Sequence, residues 1–270
     1  MHSTRWITGL IAAPLLVLLI ALENIWFFCI FVAVAAVVSL WEYGRINTPP
    51  SQTGQFRVIT FIGYLTVAGM VVAAGRLSAE MMVFTAFAGL IGCAMIALRR
   101  FKSDPDIPDV IARQILGIVY IGLPLGMIVL IRGGQTGCFW VIAILVIIFG
   151  GDTAAYYTGS CLGKHKLCPS VSPKKTIEGA LGGLAANALT GIVLKLFFLR
   201  DAGWIQVLLM AVIIGAVGQI GDLFESVLKR RVGIKDSGGI LPGHGGILDR
   251  IDALLFAIPV AWIFIVMGHV

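Results

Sequence analysis

Charged residues are scarce in this chain of 270 residues. Asp, Glu, Lys and Arg make up 13% of it, whereas AVILMFWYC residues make up 59% and the mean hydropathy is +0.98. Soluble domains are about 45–50% apolar and about 25% charged. A soluble globule of this size cannot bury so much apolar surface, and a disordered chain would not contain it. The composition is typical of a polytopic membrane protein, because a bilayer accepts apolar side chains.

Cysteine and histidine are also few, at five and four residues. The cysteines are odd in number and form no CxxC pair, which argues against a disulfide framework and a thiolate zinc site. No two histidines have the spacing of metal ligands. The net charge of +6 does not indicate a nucleic-acid partner, because the basic residues lie in loops between apolar segments rather than on one amphipathic face.

Long apolar runs recur along the chain, and a membrane-spanning helix needs about 20 such residues. We predict an all-α polytopic integral membrane protein with about nine transmembrane helices. The predicted spans are 6–22, 25–41, 58–74, 81–98, 111–131, 139–158, 177–199, 204–228 and 248–267. Residues 1–110 would hold the first four spans and their linkers. Residues 111–270 would hold the last five spans and the polar motifs.

The distribution of Lys and Arg predicts the orientation of these spans. With the N-terminus in the cytoplasm, 16 of the 20 basic residues fall in cytoplasmic loops or at the cytoplasmic ends of spans, three fall in outer loops, and Lys195 falls inside a span. We therefore expect a cytoplasmic N-terminus, an outer C-terminus and a multi-pass protein of the cell (inner) membrane. Small residues such as Gly182 and Gly183 permit close helix contacts within one chain or between two copies, so a homodimer is compatible with the sequence.

The densest group of ionisable residues is GDLFESVLKRRVGIKDSGGILPGHGGILDRID, which ends at Asp252. Asp222 and Lys229 are spaced to share one helix face, and Asp249 and Asp252 are spaced to share a face of the next helix. Ionisable groups at membrane depth are costly and indicate function. The alternative is a set of interfacial salt bridges with snorkelling Lys and Arg side chains.

A glycine-rich turn at 243–246 separates these two predicted helices, and His244 lies within it. Such a turn at the start of a helix is expected to present free backbone N–H groups to a phosphate. Carboxylates beside the turn suit Mg²⁺ held between the protein and substrate phosphates.

A second polar block, GGDTAAYYTGSCLGKHKLCPSVSPKKTIEG, places Asp152 within the sixth span. Ser172 and Pro173 have the form of an N-cap followed by proline at the first helical position. Lys174 and Lys175 would then oppose the helix dipole in the first turn, which favours an anion docked there. An ordinary positively charged loop is the alternative. Separately, Glu42 ends the second span, as either a functional group or an interface anchor.

Three motifs resemble those of the phosphatidate cytidylyltransferases, also called CDP-diacylglycerol synthases. The longest contains SVLKR, then KD, then LPGHGGILDRID, between 226 and 252. DTAAY at 152–156 and SPKKTIEG at 172–179 resemble the other two. The resemblance implies that CTP and phosphatidic acid react to give CDP-diacylglycerol and pyrophosphate at the cytoplasmic face of the bilayer. It also implies dependence on Mg²⁺ and an associated monovalent cation such as K⁺.

The motif match implies a role for each site residue. The metal ligands would be Asp222, Asp249 and Asp252. The catalytic set would be Asp222, Asp249, Lys229, Lys235, His244 and Arg250. The substrate-binding set would be Asp152, Ser172, Lys174, Lys175, Glu178, Arg230, Asp236, Gly245 and Gly246.

Two other functions fit parts of the pattern. A CTP-dependent polyprenol or dolichol kinase would transfer a γ-phosphate to an alcohol. An ion-coupled transporter would place charges near the bilayer midplane and repeat its halves, whereas the charges here cluster at one predicted face. A CDP-alcohol phosphotransferase is disfavoured because its DGxxAR…GxxxDxxxD pattern is absent from the sequence.

Overall fold

The computed structural model describes residues 14–47, 57–240 and 245–268. These residues form helices α1 to α10 and one short β-hairpin. The first helices are α1 (14–21), α2 (Ile25–Asn47), α3 (Arg57–Gly75), α4 (Ala79–Arg100), α5 (Ile107–Gly117) and α6 (Leu123–Arg132). A π-helical turn, Ile118–Gly122, joins α5 to α6. The chain continues with α7 (Gly137–Leu162), β1 (Lys166–Cys168), β2 (Ser172–Thr176), α8 (Ile177–Phe197), α9 (Trp204–Arg231) and α10 (Leu248–Val266).

Seven helices within the described ranges are long and apolar enough to cross a membrane. They are α2, α3, α4, the continuous helix Ile107–Arg132, α7, α8 and α9, and they coincide with the second to eighth predicted spans. The protein is therefore a predominantly helical, multi-pass membrane protein. Residues 6–13 of the predicted span 6–22 lie outside the described residues, and α1 covers 14–21. The predicted ninth span corresponds to α10, whose first five residues include three charged ones. The total of nine spans stays a prediction.

The chain folds as two compact units. The first unit comprises Met1–Gly137 and Val232–Arg250, and the second comprises Cys138–Arg231 and Ile251–Val270. The sequence-based boundary between residues 110 and 111 divides the chain by its motifs, whereas these two units are defined by contacts. That boundary stays a prediction.

In the first unit, α3 packs against α2, α4 and α6. Small residues let these helices approach closely: a Cβ atom at Gly69 would lie 2.8 Å from the Thr85 side chain, and one at Gly75 would lie 2.8 Å from Cys29 Sγ. Ile59 and Cys93 pack with the start of α5 in a buried apolar cluster. Packing of this kind stabilises helix pairs in a bilayer, where lipid removes the hydrophobic drive for association.

Arg132, at the end of α6, is buried and forms hydrogen bonds at the C-terminal end of α1. Its Nε donates a hydrogen bond to the Ile20 carbonyl oxygen at 2.6 Å, and its Nη2 donates to the Leu22 carbonyl oxygen at 2.6 Å. The last carbonyl groups of a helix have no partner inside the helix. The guanidinium therefore caps α1, and the cation also faces the negative end of the helix dipole.

In the second unit, α8 packs against α9. Asn187 of α8 is buried, and a Cβ atom at Gly151 of α7 would lie 2.5 Å from its Oδ1. Gln219 of α9 donates from Nε2 to the Ala180 carbonyl oxygen at 3.1 Å. Gly183 leaves room for the Gln219 side chain, so this small residue serves contacts within one chain. A homodimer stays a prediction.

The start of α8 differs from the sequence-based expectation. Residues Ser172–Thr176 form β2, which pairs antiparallel with β1, and α8 begins at Ile177. Thr176 is the N-cap, because its Oγ1 accepts a hydrogen bond from the Gly179 N–H at 3.1 Å. The predicted N-cap at Ser172 is therefore wrong. Lys174 and Lys175 lie in the strand before the helix and do not occupy its first turn.

We predict that Arg132→Met destabilises the protein by about 2–4 kcal/mol, because two carbonyl groups lose a charged hydrogen-bond donor. Thermal unfolding of the purified protein in detergent measures the effect as a lower Tm. Arg76→Met removes an exposed arginine from the same unit and serves as the control. Equal Tm values for the two variants would contradict the capping role of Arg132.

Candidate active site

Three aspartates and a lysine of the second unit form a charged group that we call the carboxylate cluster: Asp152, Asp222, Asp252 and Lys175. Lys175 Nζ lies 2.6 Å from Asp222 Oδ2. The negative charge of Asp222 acts on both Asp152 and Asp252, and the positive charge of Lys175 acts on Asp152. Asp222 and Lys175 are partly exposed, so the cluster is open to a ligand.

Glycines bring the helices of this cluster together. A Cβ atom at Gly221 would lie 2.7 Å from the Asp252 carbonyl oxygen and 3.1 Å from the Phe256 Cβ. Only a residue without a side chain lets α9 approach α10 at that level, and this approach sets Asp222 beside Asp252. The aromatic rings of Phe224 and Phe256 pack at a centroid distance of 5.4 Å next to it.

The hairpin is positioned by a similar contact. A Cβ atom at Gly179 would lie 2.8 Å from the Ala155 carbonyl oxygen and 3.1 Å from Gly159 Cα, so the start of α8 lies against α7. Because β2 leads directly into α8, Lys175 is held close to the carboxylate-bearing part of α7. The DTAAY and SPKKTIEG motifs therefore meet in one place.

Glu178 fixes the other end of the hairpin. Its carboxylate accepts hydrogen bonds from the backbone N–H groups of Lys164 at 3.1 Å and His165 at 3.2 Å, and it lies 2.6 Å from His165 Nδ1. At the other side of the hairpin, Arg230 donates from Nε to the Val171 carbonyl oxygen at 3.2 Å. These contacts brace the strand that carries Lys175. Substrate binding by Glu178 and Arg230 stays a prediction.

Lys229 has two acidic neighbours. It forms an ion pair with Glu225, one turn earlier in α9, and its charge also acts on Asp252. Glu225 is completely buried, and burying a carboxylate is costly unless a cation accompanies it. Lys229 therefore neutralises Glu225 beside the carboxylate cluster, and its predicted catalytic role stays a prediction.

The described residues contain no group of three or more His, Cys, Asp or Glu side chains that is arranged to hold a metal ion. Mg²⁺ is usually held by one or two carboxylates together with waters and substrate phosphates, so it does not require such a group. Asp222 and Asp252 are the donors of the carboxylate cluster that suit such an ion.

In the first unit, the loop before α10 is anchored by Glu42 of α2. Glu42 is completely buried. Its Oε2 accepts from the Leu248 N–H at 2.8 Å and from Ser237 Oγ at 3.3 Å, and its Oε1 accepts from the Ile247 N–H at 3.2 Å. A carboxylate that accepts the first N–H groups of a helix is favoured by the positive end of the dipole. Glu42 is thus the cap of α10, supplied by a distant part of the chain.

Asp249 closes the same loop from inside α10. Its carboxylate accepts from the Ser237 N–H at 2.9 Å and from the Gly246 N–H at 2.8 Å. Gly245 has a φ of +79°, which favours glycine, and a Cβ atom at Gly246 would lie 2.5 Å from both Glu42 carboxylate oxygens. Gly245 and Gly246 are therefore required by the two carboxylates that hold the loop.

These contacts correct the expectation of free backbone donors for Gly246, the last residue of the predicted turn; Gly243 and His244 lie outside the described residues. The N–H groups of Gly246, Ile247 and Leu248 all donate to carboxylates, so they are not available to a phosphate. The reason is that Glu42, which was not included in the predicted site, occupies the helix start where a phosphate was expected. The only sequence signal for Glu42 is an acidic residue at the end of an apolar span.

The other predicted residues have simpler positions. Lys235 and Asp236 are exposed in the loop between α9 and α10, and Arg250 is exposed in the first turn of α10. His244 lies outside the described residues. Asp249 belongs to the first unit and Asp222 to the second, so a metal ion shared by these two carboxylates stays a prediction.

We predict that Glu42→Gln lowers stability by about 2–3 kcal/mol, because an amide cannot accept all of these bonds and its NH₂ group faces N–H donors. The Tm in detergent should fall, and trypsin should cleave faster at Lys235, which lies in the anchored loop. Glu23→Gln, at an exposed position, is the control. An unchanged Tm together with unchanged cleavage at Lys235 would show that Glu42 does not anchor the loop.

Comparisons with known proteins agree with these motifs. The chain is 40% identical over 152 residues to a protein of Staphylococcus saprophyticus, a match that covers 56% of this chain and 58% of that protein. It is 42% identical over 145 residues to a Bacillus subtilis protein, covering 53% and 54% of the two chains. It is 39% identical over 174 residues to a Brucella suis protein, covering 64% and 62%. Each of these relatives is named phosphatidate cytidylyltransferase.

These matches span little more than half the length of the relatives, whereas the family model matches a longer part of the chain. The model of the cytidylyltransferase family covers residues 3–267, which include both compact units and all three motifs. The chain therefore belongs to the cytidylyltransferase family.

Proposed function

We propose that the protein transfers the cytidylyl group of CTP to phosphatidic acid and releases CDP-diacylglycerol and pyrophosphate. The observation that carries the proposal is the carboxylate cluster with Lys175, built from motifs that resemble those of the phosphatidate cytidylyltransferases. The names of the relatives support the choice of CTP and phosphatidic acid as substrates. The seven apolar helices support a substrate that remains in the bilayer.

In this reaction a phosphate oxygen of the lipid attacks the α-phosphorus of CTP. One P–O bond forms to the lipid phosphate, and the bond between the α-phosphorus and the bridging oxygen of the pyrophosphate breaks. A phosphomonoester has a second pKa of about 6, so the lipid phosphate is largely a dianion at pH 7 and needs no general base. The barrier then comes mainly from bringing two anions together in line, and positioning and charge neutralisation are what the protein must supply.

The residues divide between these two tasks. We propose that Asp222 and Asp252, with Asp249 as a third candidate, hold Mg²⁺, and that K⁺ accompanies it. When bound, the divalent ion would neutralise the phosphate oxygens and the leaving pyrophosphate. The basic residues would bind the triphosphate and the lipid phosphate: Lys174, Lys175, Lys229, Arg230, Lys235 and Arg250. Lys175 would orient Asp222 through their ion pair.

We also propose nine transmembrane helices, with the N-terminus and the active site at the cytoplasmic face. The excess of Lys and Arg in alternate loops supports this orientation. CTP is a water-soluble anion, so a site at the cytoplasmic headgroup level would let it meet a lipid whose acyl chains stay in the leaflet. His244 would lie at this face, in the loop between α9 and α10.

We predict that Asp222→Asn lowers turnover by at least about 100-fold, because the transferred phosphoryl group loses electrostatic stabilisation. The assay incubates the purified protein with labelled CTP, phosphatidic acid and Mg²⁺ and identifies the lipid product and the released phosphate species. Asp201→Asn, at an exposed position between α8 and α9, is the control and should retain full activity. Near-normal turnover of Asp222→Asn would refute its role. A phospholipid product with CDP would identify a lipid kinase, and the absence of any nucleotide turnover would favour a transporter.

We predict that EDTA abolishes turnover and that added Mg²⁺ restores it, because two anionic substrates must meet beside carboxylates that repel them. Titration of K⁺ against Na⁺ at saturating Mg²⁺ tests the monovalent cation separately. Turnover that continues at the same rate in excess EDTA would rule out the proposed use of a divalent ion.

A further inference from the structure

The first unit contains a cavity of about 350 Å³. Its described lining includes no residue of the carboxylate cluster, and neither Glu42 nor Asp249. It lies where the end of α2, the start of α3 and the first half of α5 meet. Its volume falls within the range of about 300–1,000 Å³ that is usual for ligand pockets. Among the lining residues that the structure describes, none belongs to the predicted catalytic, substrate-binding or metal-binding sets.

Three arginines, one from each helix, line this cavity: Arg45, Arg57 and Arg113. Among the described residues of its wall, none is acidic. An anion bound in the cavity would be attracted by all three guanidinium groups. Guanidinium groups also match the geometry of phosphate oxygens, to which they can donate two parallel hydrogen bonds.

Two of these arginines are held in position by neighbouring groups. The Arg45 guanidinium carbon lies 4.8 Å from the centroid of the Trp41 ring, in a cation–π contact. Arg113 donates from Nη1 to the Asn47 carbonyl oxygen at 3.1 Å, and the Tyr43 hydroxyl donates to the Arg113 carbonyl oxygen at 3.2 Å. Arg113 has five N–H donors, so this bond leaves others to face a ligand. The cations are therefore partly preorganised.

Aromatic side chains form much of the remaining wall. Trp41, Phe61 and Tyr64 line the cavity beside the arginines. Tryptophan and tyrosine are enriched at the level of lipid headgroups, and arginine is enriched at the cytoplasmic side of that level. The wall thus combines cations that suit a phosphate with apolar surface that suits the adjoining part of a lipid. A site for a small hydrated anion would not need this apolar surface.

We propose that this cavity binds the headgroup phosphate of an anionic phospholipid, distinct from the lipid that reacts. The three arginines surround the phosphate, and the aromatic side chains contact the glycerol and the first part of the acyl chains. The proposal does not depend on the reaction proposed above, because it uses other residues and a binding measurement.

The test uses phosphatidylglycerol, an anionic phosphodiester that lacks the phosphomonoester of the proposed substrate. Native mass spectrometry of the full-length protein, released from detergent, measures how much phosphatidylglycerol or phosphatidylcholine stays bound. We expect wild-type protein to bind phosphatidylglycerol at least about tenfold more tightly than phosphatidylcholine, a difference of about 1.4 kcal/mol. The preference should weaken as the salt concentration in the detergent buffer rises.

The decisive variant replaces all three arginines, Arg45→Gln, Arg57→Gln and Arg113→Gln, and should lose this preference. Its control replaces three cations of another segment on the same predicted face: Arg99→Gln, Arg100→Gln and Lys102→Gln. The single variant Arg57→Gln removes an exposed side chain at the first residue of α3, and it tests the site if the triple variant does not fold. We expect it to weaken phosphatidylglycerol binding several-fold while its Tm stays at the wild-type value.

Three results would overturn the proposal. The first is equal binding of phosphatidylglycerol and phosphatidylcholine by the wild-type protein. The second is an equal loss of binding in the control variant, which would assign the effect to net charge. The third is displacement of phosphatidylglycerol by inorganic phosphate at the same concentration, which would assign the cavity to a free anion instead of a lipid.

Discussion

The chemistry proposed for the second unit follows from the gathering of three carboxyl groups, those of Asp152, Asp222 and Asp252, in one part of the fold. Each negative charge raises the cost of the next one nearby. Lys175, 2.6 Å from Asp222, supplies one counter-charge, and Lys229 is shared with the buried Glu225. The cluster thus contains three carboxyl groups and one lysine of its own. A site of this kind favours a further cation, and anionic substrates reach it most readily together with that cation.

Close helix contacts maintain this arrangement, and glycine permits them. The chain contains 33 glycines, and those at 159, 179 and 221 stand where backbone meets backbone or a neighbouring ring. In a bilayer these contacts supply packing energy that apolar side chains facing lipid cannot supply. In the first unit, carboxylates stabilise the loop before α10. Glu42 and Asp249 accept hydrogen bonds from backbone N–H groups in this loop and at the start of the helix, which has no partners of its own for its first N–H groups. Glycine at 245 and 246 is thus explained by the structure of the loop, independently of substrate binding.

The membrane spans and the family could be predicted from the sequence, whereas the start of α8 and the role of Glu42 could not. Seven spans could be predicted because apolar length alone determines whether a helix can cross a bilayer. The contiguous motif between 226 and 252 was enough to indicate the family. The start of α8 was misplaced because Ser172 and Thr176 are both good N-caps, and only the pairing of β1 with β2 decides between them. The anchoring role of Glu42 could not be predicted, because its partners lie about 200 positions away in the chain.

The proposal that Asp222 helps to hold a divalent ion is tested most sharply by Mn²⁺ binding, measured by electron paramagnetic resonance. Mn²⁺ replaces Mg²⁺ at oxygen-rich sites. The purified protein is titrated with Mn²⁺ in the presence and absence of a non-hydrolysable CTP analogue. We expect a saturable site that tightens with the nucleotide analogue and is lost in Asp222→Asn but kept in Asp201→Asn. Identical Mn²⁺ binding by wild-type protein and Asp222→Asn, with the analogue present, would contradict the proposal.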